Sequence, residues 1–196
     1  MAKCRHCGKS GLFLRVNERG YCPECAKALL YALYDICMIA DGKEDYPIPH
    51  KLQEADVFSL ADQTASKLAR ECSHELHQCR ASGSPDYYYT HFDNFKDRFD
   101  PLQRIFVTAP FLFNETDLIV LEDFQNPHAE RMERAAWENF YMSTIRKVKE
   151  LKTDRGKRNA IQRFYDITNQ YSSRISKGVF PIVERQQLDL SSLKLS

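Results

Sequence analysis

The chain has 196 residues with 28 Lys plus Arg against 27 Asp plus Glu, so its formal charge of +1 predicts no gross attraction to nucleic acid or membrane. At 43% apolar and 12% aromatic residues it lies far from disordered chains, and a chain of this length buries roughly 70% of its extended surface. Its seven Gly and eight Pro exclude collagen-like and linker-dominated chains, and its most apolar long stretch, 28–40, is interrupted by Asp35 and too short to span a bilayer.

Four of the cysteines, Cys4, Cys7, Cys22 and Cys25, crowd the first 25 residues, which sets a small head, 1–40, apart from the rest. Within it, Leu12 to Val16 reads as a strand, Asn17 to Gly20 as a turn and the following residues as a return strand. From Pro23 to Ala40 the apolar positions Ala26, Leu29, Leu30, Leu33, Ile36 and Cys37 recur at spacings of three and four, a helix with one buried stripe that Asp41-Gly42 ends. Pro47 and Pro49 disfavour helix before them and make 41–50 an extended connector.

The body, 51–177, reads as helical. A long amphipathic helix runs from Lys51 to about Ser82 on the stripe Leu52, Ala55, Phe58, Ala61, Ala65, Leu68, Cys72, Leu76 and Cys79. Ser84-Pro85 opens a second helix that carries Tyr88, Phe92, Phe95 and Phe99 to Asp100-Pro101. The runs IFVTAPFLF and DLIVLEDF within 102–124 suit buried helical turns or short strands, with helix preferred. Asn126-Pro127 opens a helix towards Lys152, and Thr153-Asp154 opens another towards Tyr171. The tail, 178–196, shows no helical stripe and is expected to be an extended arm. The fold class expected is mainly α: a metal-organised head of β-hairpin plus helix, then a bundle-like helical body.

Charge is uneven along the chain. Residues 41–125 hold eight basic and sixteen acidic side chains, whereas 126–177 hold twelve and six. Two segments of opposite sign packing against each other would explain this without any ligand.

The chemistry sits in the head. Cys4-Arg-His-Cys7 and Cys22-Pro-Glu-Cys25 are two C-x2-C pairs fourteen residues apart, and four soft thiolates suit tetrahedral Zn2+, although iron also occupies such sites. Pro23 places Cys25 near a helix N-terminus, where free amides favour thiolate charge. These residues resemble treble-clef zinc fingers, in which a knuckle, a hairpin and a helix start supply the four ligands. The pattern C-x2-C-G-K-x-G-L-F-L-x-V-N-x-x-G-x-C-x2-C is also similar to short four-cysteine fingers that open many uncharacterised bacterial and phage proteins. That resemblance covers Cys4 to about Ile36 and implies a metal-stabilised fold, not an activity. A closed four-thiolate site leaves no position for water or substrate, so the zinc is expected to be structural and chelation to unfold 1–40. A dithiol role for Cys22 and Cys25 competes less well, because the two pairs flank a hairpin.

Other candidates are weaker. Gly8-Lys9-Ser10 lacks the earlier glycine of a phosphate loop, since Lys3 stands there. Cys72 and Cys79 belong to an apolar stripe while His74 and His77 lie off it, so no zincin pairing arises. Nine aromatics between Tyr87 and Phe113 suit core packing better than a stacking platform. The one basic concentration is Arg146, Lys147, Lys149, Lys152, Arg155, Lys157 and Arg158, and a solvated helix end and turn explains it better than a phosphate-contacting surface does.

No catalytic signature is recognisable, and the function expected is that of a non-enzymatic adaptor or regulator binding another protein. The alternative is nucleic-acid binding by that basic run together with Arg5, Lys9, Arg15 and Arg19 on the finger. The first residues, MAKCRHCGKS, lack the apolar core of a signal peptide, so a reducing compartment, the cytoplasm, is expected.

Overall fold

The computed structural model of the chain describes residues 1–43, 45–113 and 126–193. It is mainly helical: β1 (Ala2–Lys3) and β2 (Ser10–Gly11) form a two-stranded antiparallel sheet, followed by α1 (Pro23–Ala40), α2 (Glu54–Arg80), α3 (Pro85–Thr108), a 3-10 turn (Pro110–Leu112), α4 (Asn126–Glu150), α5 (Asp154–Tyr171) and α6 (Phe180–Ser191). No helix among the described residues is long and apolar enough to cross a membrane. The chain divides into two compact units, one of Met1–Cys72 with the chain from Asp97, the other of Ser73–Lys96 with the chain from α4 onward.

In the first unit α1 starts on Pro23, whose missing N–H falls where a helix has no use for one, and ends on Asp41 with Gly42 at φ +72°. Its stripe Leu33, Ile36, Cys37 is buried, as are Val57, Ala61, Ala65 and Leu68 of α2 and Leu102 and Ile105 of α3. The connector is strapped to α1: the Tyr31 hydroxyl donates to the His50 carbonyl at 2.9 Å, and the Tyr46 hydroxyl donates to Asp35. Pro101 does not end α3, contrary to the sequence reading. Buried Phe95, Leu102 and Ile105 flank it, and their burial outweighs the roughly 3 kcal/mol that an interior proline costs. The helix expected from Leu102 is therefore the continuation of α3 to Thr108, while the run Asp117–Phe124 lies outside the described residues.

In the second unit, α4 and α5 form a helical hairpin joined by Leu151–Thr153, with the Thr153 hydroxyl accepting from the Gly156 amide at 3.2 Å. Trp137 is fully buried, its ring 6.4 Å from Phe140 and 6.0 Å from Phe164. Beside it the buried Glu133 carboxylate accepts from the Tyr89 hydroxyl at 2.6 Å and from the Ser176 amide at 3.1 Å. This polar group ties α3 and α4 to the turn that precedes α6, and burial together with the Glu133 bond pushes the Tyr89 hydroxyl up from its ordinary pKa.

The extended tail expected for 178–196 is overturned, because Phe180–Ser191 is helix. Its buried positions, Val179, Val183, Gln186 and Leu190, do follow helical spacing, but a glutamine occupies the stripe and hides it from an apolar count. The Gln186 Oε1 has no hydrogen-bond partner among the described residues, and an orphaned buried acceptor costs about 1–3 kcal/mol. Gln186→Met, which keeps the length and removes the acceptor, is expected to raise stability by about 1 kcal/mol in chemical denaturation; a loss of stability would show that the amide is satisfied.

Candidate metal centre

The four cysteines arrive from two local structures. Cys4 and Cys7 sit on a knuckle between β1 and β2, where the sheet pairs Ala2 with Gly11 and Lys3 with Ser10. The Cys4 amide donates to the Lys9 carbonyl at 2.8 Å and the Gly8 amide to the Cys4 carbonyl at 3.1 Å, a turn that needs Gly8 at φ +72°. Cys22 is the residue before α1 and Cys25 lies in its first turn, with the Ala26 amide closing onto the Cys22 carbonyl at 2.9 Å. The turn expected at Asn17–Gly20 is present, the Gly20 amide reaching the Asn17 carbonyl at 2.8 Å, but Leu12–Val16 is not a strand. The paired strands flank the knuckle instead, two residues each, too short for an alternating pattern.

All four sulfurs lie within 4.8 Å of one another, and Cys7 Sγ is 3.9 Å from Cys22 Sγ. Four thiolates about 2.3 Å from one tetrahedral ion have edges of about 3.8 Å, so the donor set fits a metal ion. All seven cysteines are free thiols.

The electrostatics of the four thiols are uneven. The Cys22 amide donates to Cys4 Sγ at 3.3 Å, and this bond, with amides of Cys7 and His6, brings the Cys4 thiol down to about 6. Cys25 goes the other way. Burial first, then hydrogen bonding with the three neighbouring sulfurs and the charge of Cys22, push its thiol up to about 12. A bound cation reverses that balance and favours the thiolates outright.

A second glycine is set by the site. Gly20 has φ +81°, its carbonyl accepts from the Arg5 amide at 2.9 Å, and a Cβ there would stand 2.8 Å from Arg5 Cδ. Gly20→Ala forces an alanine into the left-handed region at a cost of about 1–2 kcal/mol. A competition titration against a chelator should therefore show metal affinity lowered roughly tenfold; unchanged affinity would mean that this turn does not hold the cysteine pairs.

The other candidate residues separate into two groups. On the head, Lys9 pairs with Glu24 at 2.8 Å, which raises the lysine and lowers the glutamate. Arg19 pairs with Glu54 and lies over the rings of Phe58 and Phe111, 4.6 and 4.5 Å from their centroids, the two rings themselves packing edge-to-face. Arg5 lines the Gly20 turn, and Arg15 is exposed. In the second unit, Arg146, Lys147 and Lys149 stand at the end of α4, Lys152 in the turn after it, and Arg155, Lys157 and Arg158 in the first turns of α5, so one corner gathers all seven. None of the seven makes an ion pair among the described residues. All but Lys157 are exposed, as expected of a solvated helix end and turn, and elsewhere in this unit Arg174 pairs with Asp93, at 3.0 Å. His74 and His77 are exposed while Cys72 and Cys79 are buried, as the stripe predicts. Sequence patterning did not single out Leu12 and Phe13, which are 81% and 97% exposed on the loop between the cysteine pairs.

Compared with family models, curated proteins and solved structures, the chain matches none.

Proposed function

We propose that the chain is a non-enzymatic, cytoplasmic adaptor or regulator whose treble-clef head, held by structural Zn2+, binds another protein. The observation that carries this reading is the pairing of a closed four-sulfur cluster with Leu12 and Phe13, large apolar side chains left in solvent on the loop the cluster fixes. Zinc suits four thiolates and needs no redox partner. Solvent-facing apolar residues on a rigid support are what a protein contact requires. Crosslinking in extracts of the source cells is expected to capture a protein partner. Leu12→Ser with Phe13→Ser should lose it while elemental analysis still finds one zinc per chain. Undiminished capture by that double variant would overturn the reading.

A second reading, nucleic-acid binding, is favoured by the seven cations at the α4–α5 corner, none of which makes an ion pair among the described residues. Lys9 and Arg19 are already engaged by Glu24 and Glu54, so the finger contributes chiefly Arg5 and Arg15 to it. Absence of binding to any DNA or RNA at low salt would end this second reading.

A further inference from the structure

We propose that a cavity between the α2–α3 turn and the α4–α5 hairpin seats a backbone phosphate of a nucleic acid, with Lys147, Arg163 and the Ser84 hydroxyl as donors, a proposal that rests on the nucleic-acid reading above. The cavity, about 290 Å3, lies wholly within the second unit, and Ser84, Phe140, Ser143, Lys147 and Arg163 are among its lining residues. No carboxylate lines it.

Two cations that converge on one concavity repel each other, and an ordinary protein surface relieves this with a nearby acid. Elsewhere in the chain that is what happens: Lys9 has Glu24, Lys67 has Asp41, Arg98 has Glu71 and Arg174 has Asp93. Lys147 and Arg163 have no ion pair among the described residues. Asp86, on the first turn of α3, does not line the cavity and bonds the Tyr171 hydroxyl. Asp166, on α5, is bonded by the Gln162 amide at 2.9 Å.

The polar lining suits an acceptor-only ligand. Lys147 and Arg163 can only donate. The Ser84 oxygen accepts from the Tyr87 amide at 3.4 Å, which leaves its own hydrogen for a ligand. Ser143 and Thr144 already donate to the Phe140 carbonyl, at 2.8 and 2.9 Å, so they frame the cavity without adding donors. Phosphate oxygens match this set, and the arginine can engage two of them at once.

Extent decides between a lone phosphate and a chain of them. From Arg155 to Arg163 the axis of α5 runs about 12 Å, and duplex DNA presents one charge per roughly 1.7 Å. Arg155, Lys157 and Arg158 in the first turns of α5, Arg146 and Lys149 at the end of α4 and Lys152 in the turn between them add six further cations, against the two carboxylates Glu150 and Asp154. A single phosphorylated side chain would occupy the cavity and leave these six unanswered. A polymer of phosphates reaches them all.

The test is fluorescence anisotropy of the full zinc-loaded chain with labelled single-stranded DNA, RNA of the same sequence, and duplex DNA across a salt series. The double variant Lys147→Gln, Arg163→Gln should bind roughly tenfold or more weakly, and its slope of log K against log salt should flatten by about 1.8 on duplex or about 1.4 on single strands. Lys147→Arg with Arg163→Lys should retain binding. Ser143→Glu, which adds an anion inside the cavity, should abolish binding. Gln170→Glu, which adds the same charge near the far end of α5, should weaken it only slightly. If the wild type binds while the double variant and Ser143→Glu match Gln170→Glu, the cavity is overturned and the basic-surface reading stands. If the wild type binds none of the three at low salt, both fall. If a phosphoserine peptide displaces the oligonucleotide at matched ionic strength as well as unlabelled oligonucleotide does, the site is one for single phosphates and the nucleic-acid assignment is overturned.

Discussion

Stripping the metal with a chelator should abolish amide protection across the knuckle and the loop up to the start of α1, and readdition of zinc should restore it. Apart from the Arg19 contacts with Glu54, Phe58 and Phe111, the head has little else to hold it. Its strands are two residues long, and Leu12 and Phe13 face solvent instead of packing into a core. The ion pair Lys9–Glu24 is exposed and adds little. Metal binding in comparable peptides contributes about 10–16 kcal/mol, which exceeds anything the remaining contacts of the head supply. The sequence alone sets the limit of unfolding at residue 40, but the structure moves it back. Leu33, Ile36, Cys37 and Met38 are buried, so the second half of α1 should keep its protection. Hydrogen exchange on the purified protein measures this residue by residue. Protected amides at Cys4, Arg5 and Gly8 after complete metal removal would refute the structural role of the ion.

The second large effect is expected at Trp137. Trp137→Ala should lower stability by about 3–5 kcal/mol, the cost of deleting a large buried aromatic. The indole is fully buried, edge-on to Phe140 and Phe164, and its Nε1–H donates to the Tyr89 hydroxyl at 3.4 Å. That hydroxyl in turn donates to Glu133, so truncation opens a cavity and weakens a buried polar chain together. Domains of this kind are stable by about 5–15 kcal/mol in total, so the second unit should unfold at markedly lower denaturant. Because this is the only tryptophan, far-UV circular dichroism must report the transition. A loss below about 1 kcal/mol would show that neighbouring side chains collapse into the space.

What the sequence made legible followed the strength of each local rule. Two C-x2-C pairs are a spacing that the ligand geometry itself imposes, so the cluster was readable without tertiary information. The long helices were readable because burying one face writes a three-and-four period into residues such as Ala61, Ala65, Leu68 and Cys72. The strands were misplaced because pairs of two residues carry no period, and apolar Leu12–Val16 imitated a strand while being left in solvent. Pro101 was read as a stop because packing around it is a tertiary fact, and α6 was missed because Gln186 interrupts its stripe. Arg163 stands five residues beyond the basic run, and only the α4–α5 hairpin brings it to Lys147.

Arg19 extends the reach of the head beyond the four cysteines. Its guanidinium covers the edge-to-face pair Phe58 and Phe111, is joined to Glu54 in the opening turn of α2, and rides on a loop whose ends are Cys7 and Cys22. Slackening of that loop would draw the guanidinium away, uncovering both rings and leaving Glu54 without this partner. A change confined to the cysteine loop would then be felt thirty-five residues along the chain, at a helix that supplies none of the four sulfurs.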